Sequence, residues 1–305
     1  MNASYASALA ASHDAAAAQH YPQGALYVVA TPIGNLADIT LRALHLLQLV
    51  DAIACEDTRH TQALLRAYGI ERGGQALIAL HQHNEIEAAQ QVLARLQAGE
   101  RVAYVSDAGT PAVSDPGARL VGAVSGAGLP VVPLPGASSV TAALSVAGAV
   151  DDTGAFVFAG FLPAKAGERA TAVQQLAAEP RAIVLLEAPH RIESLAAALV
   201  ALGSRRVTVG RELTKQFEQI HTLAATDFMA WLAADAQRSR GEFVLVVHPQ
   251  AGGGDTAGKE RRVLQLLLAE LPLKSAVRLS AEITGAPRNT LYEAALQIKK
   301  GAGDE

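Results

Sequence analysis

VSDAGTPAVSDPGARLVGAVSGAGLPVVPLPGASS, residues Val105–Ser139, reads as a loop, a helix, a strand and a second loop. The apolar run VAYV (Val102–Val105) feeds the first loop, and Pro130–Leu134 feeds the second, PGASS. Two such strands joined through a helix over Ala118–Ala127 are expected to lie side by side and parallel. Both loops then leave carboxyl ends of strands, the rim where an open α/β sheet binds ligands. Gly109, Gly117 and Gly136 let main chain approach a ligand closely. Pro111, Pro116 and Pro135 stiffen the turns, and Asp107 is placed to grip a hydroxyl or a cation. The pair of loops predicts a cleft for a small-molecule cofactor.

Before this stretch the apolar runs repeat the pattern. LYVVA (Leu26–Ala30) empties into the loop TPIGNLADIT, after which Thr40 caps the helix LRALHLLQLV. DAIACE leads into DTRH and a helix over Thr61–Tyr68; ALIAL leads into HQHNE and a helix over Glu85–Gln97. Residues 25–150 thus form an α/β domain with a mostly parallel sheet. VDDTG marks a boundary, and residues 151–250 form a second α/β domain. It carries AFVFAGF, AIVLLE, RVTVG, FEQIHTLAA and EFVLVV as strands, with helices over Ile192–Leu202 and Asp227–Ala236. Alternation in its later strands predicts a mixed sheet. AGGGDTAG (251–258) is a flexible linker by composition, and residues 259–300 form a bundle of three short helices. That bundle reads equally as a packing appendage or as an RNA contact. The Ala- and Ser-rich residues 1–24 read as a disordered extension.

Half of the 305 residues are apolar, enough for the cores of two domains. The formal charge of −4 excludes bulk attraction to nucleic acid or membrane, so an anionic partner must be met by local basic patches. The single cysteine, Cys55, excludes an internal disulfide and fits a reducing, cytoplasmic setting; a buried strand-end thiol is packing. No apolar stretch free of charge and turn residues reaches membrane-spanning length, so no membrane partner is expected.

No G-x-G-x-x-G follows a strand, which counts against a nicotinamide dehydrogenase, and no Walker A sequence occurs. His81 and His83 in HQH could ligate a metal, but only Glu85 follows, and a hydrogen-bonded loop without metal is expected. EDTRH (Glu56–His60) sits at a strand's carboxyl end. Its acids beside Arg59 and His60 could hold a ribose, position a phosphate or move a proton; equally, Asp57 could simply cap a helix. EAPHR (Glu187–Arg191) and GRELTK (Gly210–Lys215) repeat an acid with basic neighbours just after a strand.

TPIGNLADIT, EDTRHT, HQHNE, VSDAGTPAVSDPG, PGASSVTAAL, FAGFLP, EAPHR and GRELTKQFE occur in this order between Leu26 and Pro249. The ordered set resembles the branch of the tetrapyrrole-methylase superfamily that methylates the ribose 2′-oxygen of a cytidine in small-subunit (16S) ribosomal RNA. The resemblance implies two αβα domains of the class III methyltransferase type, with S-adenosylmethionine in the cleft between them and a small C-terminal helical appendage. It implies a homodimer acting on 16S rRNA within the assembled small ribosomal subunit. Carried over by motif, the cofactor contacts are Pro32, Gly34, Asp107, Ala108, Gly109, Thr110, Ala137, Ser138 and Ser139, with Phe158, Gly160, Leu162, Leu186 and Leu213 from the second domain. The RNA side falls to Arg59, His60, Arg191, Arg211 and Lys215.

The implied chemistry asks the protein mainly to position its reactants and remove a proton. Glu56, Asp57 and Glu187 are the candidate bases, with Lys215 and Arg59 anchoring phosphates or stabilising charge on the oxygen. Two other readings compete: a methylase of the same fold acting on a corrin or porphyrin precursor, and an RNA-binding module without catalysis.

Overall fold

The computed structural model describes residues 5–73, 76–81, 84–113, 117–149, 154–250 and 256–301. The first domain is a five-stranded parallel sheet of β1 (Leu26–Val29), β2 (Ala52–Cys55), β3 (Leu77–Ala79), β4 (Val102–Val105) and β5 (Val131–Leu134), in the order β3-β2-β4-β1-β5. The expectation that β4 and β5 are neighbours is overturned, because β1 lies between them and pairs with both. Pro133 gives the physical reason. It has no N–H to donate, so its strand belongs at an edge, whereas the fully apolar LYVV of β1 suits an interior position.

Helices cover both faces. Tyr27, Val29, Ile53 and Val105 face Leu44, Leu47 and Leu65 from α2 (Leu41–Leu49) and α3 (Thr58–Ala67). Leu26, Ala54 and Tyr104 face Val92, Leu96, Leu120 and Val124 from α4 (Glu85–Gln97) and α5 (Gly117–Gly126). Thr40 caps α2, its Oγ1 accepting the Ala43 N–H at 3.1 Å.

The N-terminal stretch is a second correction. Ala6–Ala16 form helix α1, with Ser12 and Ala16 buried and Tyr5, Ala8 and Leu9 packed on the first core. Tyr5 meets Tyr68 edge-on at 5.0 Å between ring centroids. A run of alanines has the highest helix propensity, and one apolar stripe is enough to dock it.

The second sheet is mixed. β6 (Phe156–Phe161), β7 (Ala182–Glu187), β8 (Arg206–Arg211), β9 (Gln219–Ala224) and β10 (Phe243–Val247) take the order β6-β7-β10-β8-β9, and only β6 and β7 run parallel. One face packs on α7 (Ala166–Ala177), α8 (Ile192–Leu199) and α9 (Phe228–Ala233). The other face receives α6 (Ser139–Ala147) of the first domain, whose Ala143 and Ala147 join Val184, Leu213, Val244 and Val246. α6 is therefore the joint between the sheets. Residues 150–153 of the expected boundary lie outside the described residues.

α10 (Thr256–Glu270), α11 (Leu273–Thr284) and α12 (Arg288–Gly301) carry their own core of Leu264, Val277, Ala286, Leu291 and Ala295. α10 begins inside the stretch expected to be linker, two residues before its last glycine.

Gly117 opens α5 against buried Tyr104, and a Cβ there would sit 1.9 Å from Tyr104 Cε1. Gly117→Ala is expected to destabilise the protein by about 1–3 kcal/mol, seen as a lower urea midpoint at unchanged slope. Gly122→Ala on the same helix meets nothing within 4 Å among the described residues and should not lower that midpoint.

Candidate active site

Three loops meet at the carboxyl rim of the first sheet. Thr31, just after β1, and Gly109, after β4, exchange backbone hydrogen bonds of 2.9 and 3.0 Å. The Thr31 hydroxyl donates to the Ser106 carbonyl at 3.3 Å, and the Thr110 hydroxyl donates to the Ala137 carbonyl at 3.1 Å. Beyond them lies a compartment of about 270 Å³ lined by Glu56, Asp107–Thr110, Ser138, Ser139 and apolar Ile33, Val113 and Val140. A second compartment of about 380 Å³ shares Ile33, Ala108, Ser139 and Leu186 with the first. It continues against the second sheet, along Phe161, Glu187, Leu213, Glu242 and Val244. The two form one cleft between the sheets.

Of the residues expected at the cofactor, Asp107, Ala108, Gly109, Thr110, Ser138, Ser139, Leu186 and Leu213 line this cleft. Pro32 is buried and lines neither compartment, and Ala137 contributes its carbonyl to Thr110. Phe158 packs behind the wall with Ile33, Leu186 and Leu213, and Leu162 points into the core on the opposite face. A bulge between Phe158 and Gly160 explains this. It shifts the alternation of β6 by one residue, so that Phe161 reaches the cleft while Leu162 turns to the opposite face. Ile33, Ser106, Val113, Val140, Phe161 and Glu242 were not singled out by sequence reasoning. Ile33 and Phe161 sit inside quoted motifs, whereas Glu242 reaches the site through β10 and no local signal marks it.

The charged residues divide sharply. Asp57 caps α3, accepting the Arg59 N–H at 2.8 Å, and both its oxygens are bound by the Arg59 guanidinium. These side-chain and backbone hydrogen bonds from Arg59 hold its carboxyl far below the usual range, which makes it a weak base. Glu56 lines the first compartment and Glu187 the second. Cys55, behind Glu56, has its thiol pushed up to about 11 by burial and is no nucleophile at neutral pH.

The expected basic rim is largely committed inside the protein. Arg211 is buried, donating to the carbonyls of Arg240 and Phe217 and to Gln219. This placement overturns its expected exposure to RNA: as the last residue of β8 it faces inward. Arg191 lies 3.1 Å from Glu187 and donates to the Leu162 carbonyl. Only Arg59 and His60 of the five expected RNA contacts are exposed.

Lys215 bridges Glu212 at 2.8 Å and Glu242 at 3.1 Å, and its stem lies over Gly34 of the first domain. A Cβ at Gly34 would stand 2.4 Å from Lys215 Cγ, so a residue without a side chain is needed for this interdomain contact. The same loop holds Glu212 at φ 52° and Thr214 at φ 67°, left-handed backbone that costs about 1–3 kcal/mol at each non-glycine residue.

S-adenosylmethionine, which the sequence resemblance implies, fits this lining. Carboxylates of Glu56 and Asp107 suit a sulfonium and an ammonium, and apolar walls suit an adenine. The N-terminus of α6 lacks a side-chain cap at Ser138, leaving amides for a carboxylate. Of HQH, Gln82 and His83 lie outside the described residues, as do Ser114–Pro116 of the first loop. Among the described residues, no group of three His, Cys, Asp or Glu converges as a metal site.

Burial raises the Glu212 carboxyl, but hydrogen bonds from Lys215 and the Glu242 N–H outweigh it and leave it below its ordinary value. A depressed carboxyl contributes stability above its unfolded pKa, roughly 4.3, and loses it as pH falls through the lower folded value. Glu212→Gln should therefore narrow its stability gap to the wild type as pH falls below about 4. A gap independent of pH in urea melts would exclude this linkage.

Residues 25–227 match the family model for tetrapyrrole (corrin/porphyrin) methylases, and residues 255–299 match that for the RsmI C-terminal HTH domain. The chain is 49% identical over 278 residues to ribosomal RNA small subunit methyltransferase I of Escherichia coli O157:H7, covering 90% of this chain and 96% of that one. It is 50% identical over 279 residues to the Pseudomonas aeruginosa protein of the same name, covering 90% and 97%. Among solved structures, cobalt precorrin-4 methyltransferase CbiF shares the fold at a TM-score of 0.54 and 21% identity, covering 75% of this chain and 98% of that one. The chain belongs to the tetrapyrrole (corrin/porphyrin) methylase family, in the branch of the ribosomal RNA small subunit methyltransferases I.

Proposed function

We propose that the protein transfers a methyl group from S-adenosylmethionine to the ribose 2′-oxygen of a cytidine in small-subunit (16S) ribosomal RNA. The observation that carries this is the acid-lined cleft between the two sheets, in a chain alike along nine-tenths of its length to ribosomal RNA small subunit methyltransferases I. When bound, the cofactor supplies an electrophilic methyl on a sulfonium. Asp107 would take its hydroxyls or ammonium, the main chain of Ala108–Thr110 and Ser138–Ser139 its polar ends, and Leu186, Leu213 and Phe161 its apolar body. Ala137, Phe158 and Leu162 support this lining from behind, Pro32 is buried beside it, Gly34 carries the Lys215 stem and Gly160 borders the bulge of β6.

Glu56 is the proposed base, since it lines the first compartment beside Asp107 while Asp57 is held by Arg59. Fixing both reactants in line supplies roughly 7–11 kcal/mol, and a base about 10²–10⁴-fold more. Positioning therefore dominates. Exposed Arg59 and His60 meet the RNA, while Arg191, Arg211 and Lys215 keep the cleft in shape. With a net charge of −4, free RNA is a poor partner. The reading accordingly includes the assembled small subunit as substrate; the family resemblance adds a homodimer, and the lone Cys55 fits a cytoplasmic setting.

Mapping ribose methylation on small-subunit RNA from cells with and without the protein tests the proposal. A single cytidine should lose its 2′-O-methyl group, and label from the cofactor should enter RNA; an unchanged map, or label in a tetrapyrrole, refutes it. Glu56→Gln should lower the single-turnover rate about 10²-fold or more with little change in cofactor affinity. An unaltered rate would remove Glu56 as the base.

A further inference from the structure

We propose that Glu187 reads the exocyclic amine of a nucleobase seated in the second compartment, an inference that rests on the methyl-donor reading above. Glu187 ends β7 with a fully buried side chain. Its Oε1 accepts the Ala188 N–H at 2.9 Å and lies 3.1 Å from Arg191 Nε. Its Oε2 is also buried but has no hydrogen-bond partner among the described residues. Native proteins rarely leave such an atom unanswered, because the desolvation of an acceptor is then uncompensated.

The missing partner must be a donor, since a carboxylate oxygen only accepts. Glu187 lines a compartment whose other walls include Phe161, Leu186, Leu213 and Val244, so the donor must ride on an apolar body. An amino group on an aromatic ring meets both requirements, and a carbonyl in its place would face the carboxylate with like polarity. Arg191, which also donates to the Leu162 carbonyl, anchors the carboxylate and is a positioning residue. This use of Oε2 leaves proton removal to Glu56.

Two molecules in the proposed reaction carry such an amine, the adenine of the cofactor and the target cytosine. Leu186 and Leu213, both assigned to the cofactor, share the wall with Glu187, which favours adenine.

Calorimetry on the full chain tests this, comparing S-adenosylhomocysteine with its deaminated counterpart S-inosylhomocysteine. The wild type should prefer the amine about tenfold to a hundredfold, as for one charge-assisted hydrogen bond. Glu187→Gln, whose amide can donate as well as accept, should reduce that preference to within about threefold. Arg191→Lys should reduce it partially, and matching thermal melts separate these effects from unfolding. A preference preserved in Glu187→Gln, together with lost discrimination between cytidine and uridine at the target position, assigns the amine to cytosine. Both preferences preserved overturns the proposal. A wild type that binds neither ligand overturns the methyl-donor reading itself.

Discussion

The reciprocal backbone hydrogen bonds between Thr31 and Gly109 are the constraint on which the cleft depends. They join the loops after two neighbouring parallel strands, so the rim cannot open without breaking main-chain pairing. The Thr110 hydroxyl extends the same tie to the loop after β5. Because β1 lies between β4 and β5, three loops converge on one point where adjacent β4 and β5 would have brought together only two. Asp107 is held within this frame, its Oδ1 accepting the Asp57 N–H at 3.3 Å. A preorganised acceptor of this kind costs little reorganisation when a ligand arrives.

The second domain closes the frame by different means. α6 is shared between the sheets through small residues, Ala143 and Ala147, which let the helix approach β10 closely. A second interdomain contact is made by Lys215, which reaches across to Gly34 with its ammonium held between two carboxylates. Here cations mostly serve architecture. The acids that remain toward the cleft then set its polarity, and a positively charged small molecule is better matched there than a phosphate.

Much of the fold was legible because buried parallel strands announce themselves as short, continuous apolar runs, as in LYVV, AIAC and VAYV. Strand order was not, since it depends on pairings between distant residues; only Pro133 hinted that β5 must stand at an edge. The loop glycines, Asp107 and the serines of PGASS were readable because they punctuate strand ends. Phe161 was missed, because a bulge that no local residue pattern announces turns it toward the cleft. Arg211 and Arg191 looked like surface cations in a linear string, and only the fold reveals carbonyls and carboxylates waiting for them. α1 was misjudged for the opposite reason: alanine-rich composition is common to loose tails and to well-formed helices, and docking decides between them.

The placement of Pro133 has an effect beyond ordering the strands. An outermost strand of a parallel sheet offers a template on which another chain can add a strand, the usual route to fibrous self-association. Here one flank presents a ring nitrogen with nothing to donate, and the other flank, β3, is only three residues long. Neither supplies a full ladder for recruitment. Pairing between copies of this domain is therefore steered toward side-chain surfaces, where shape rather than backbone repetition decides which partner fits.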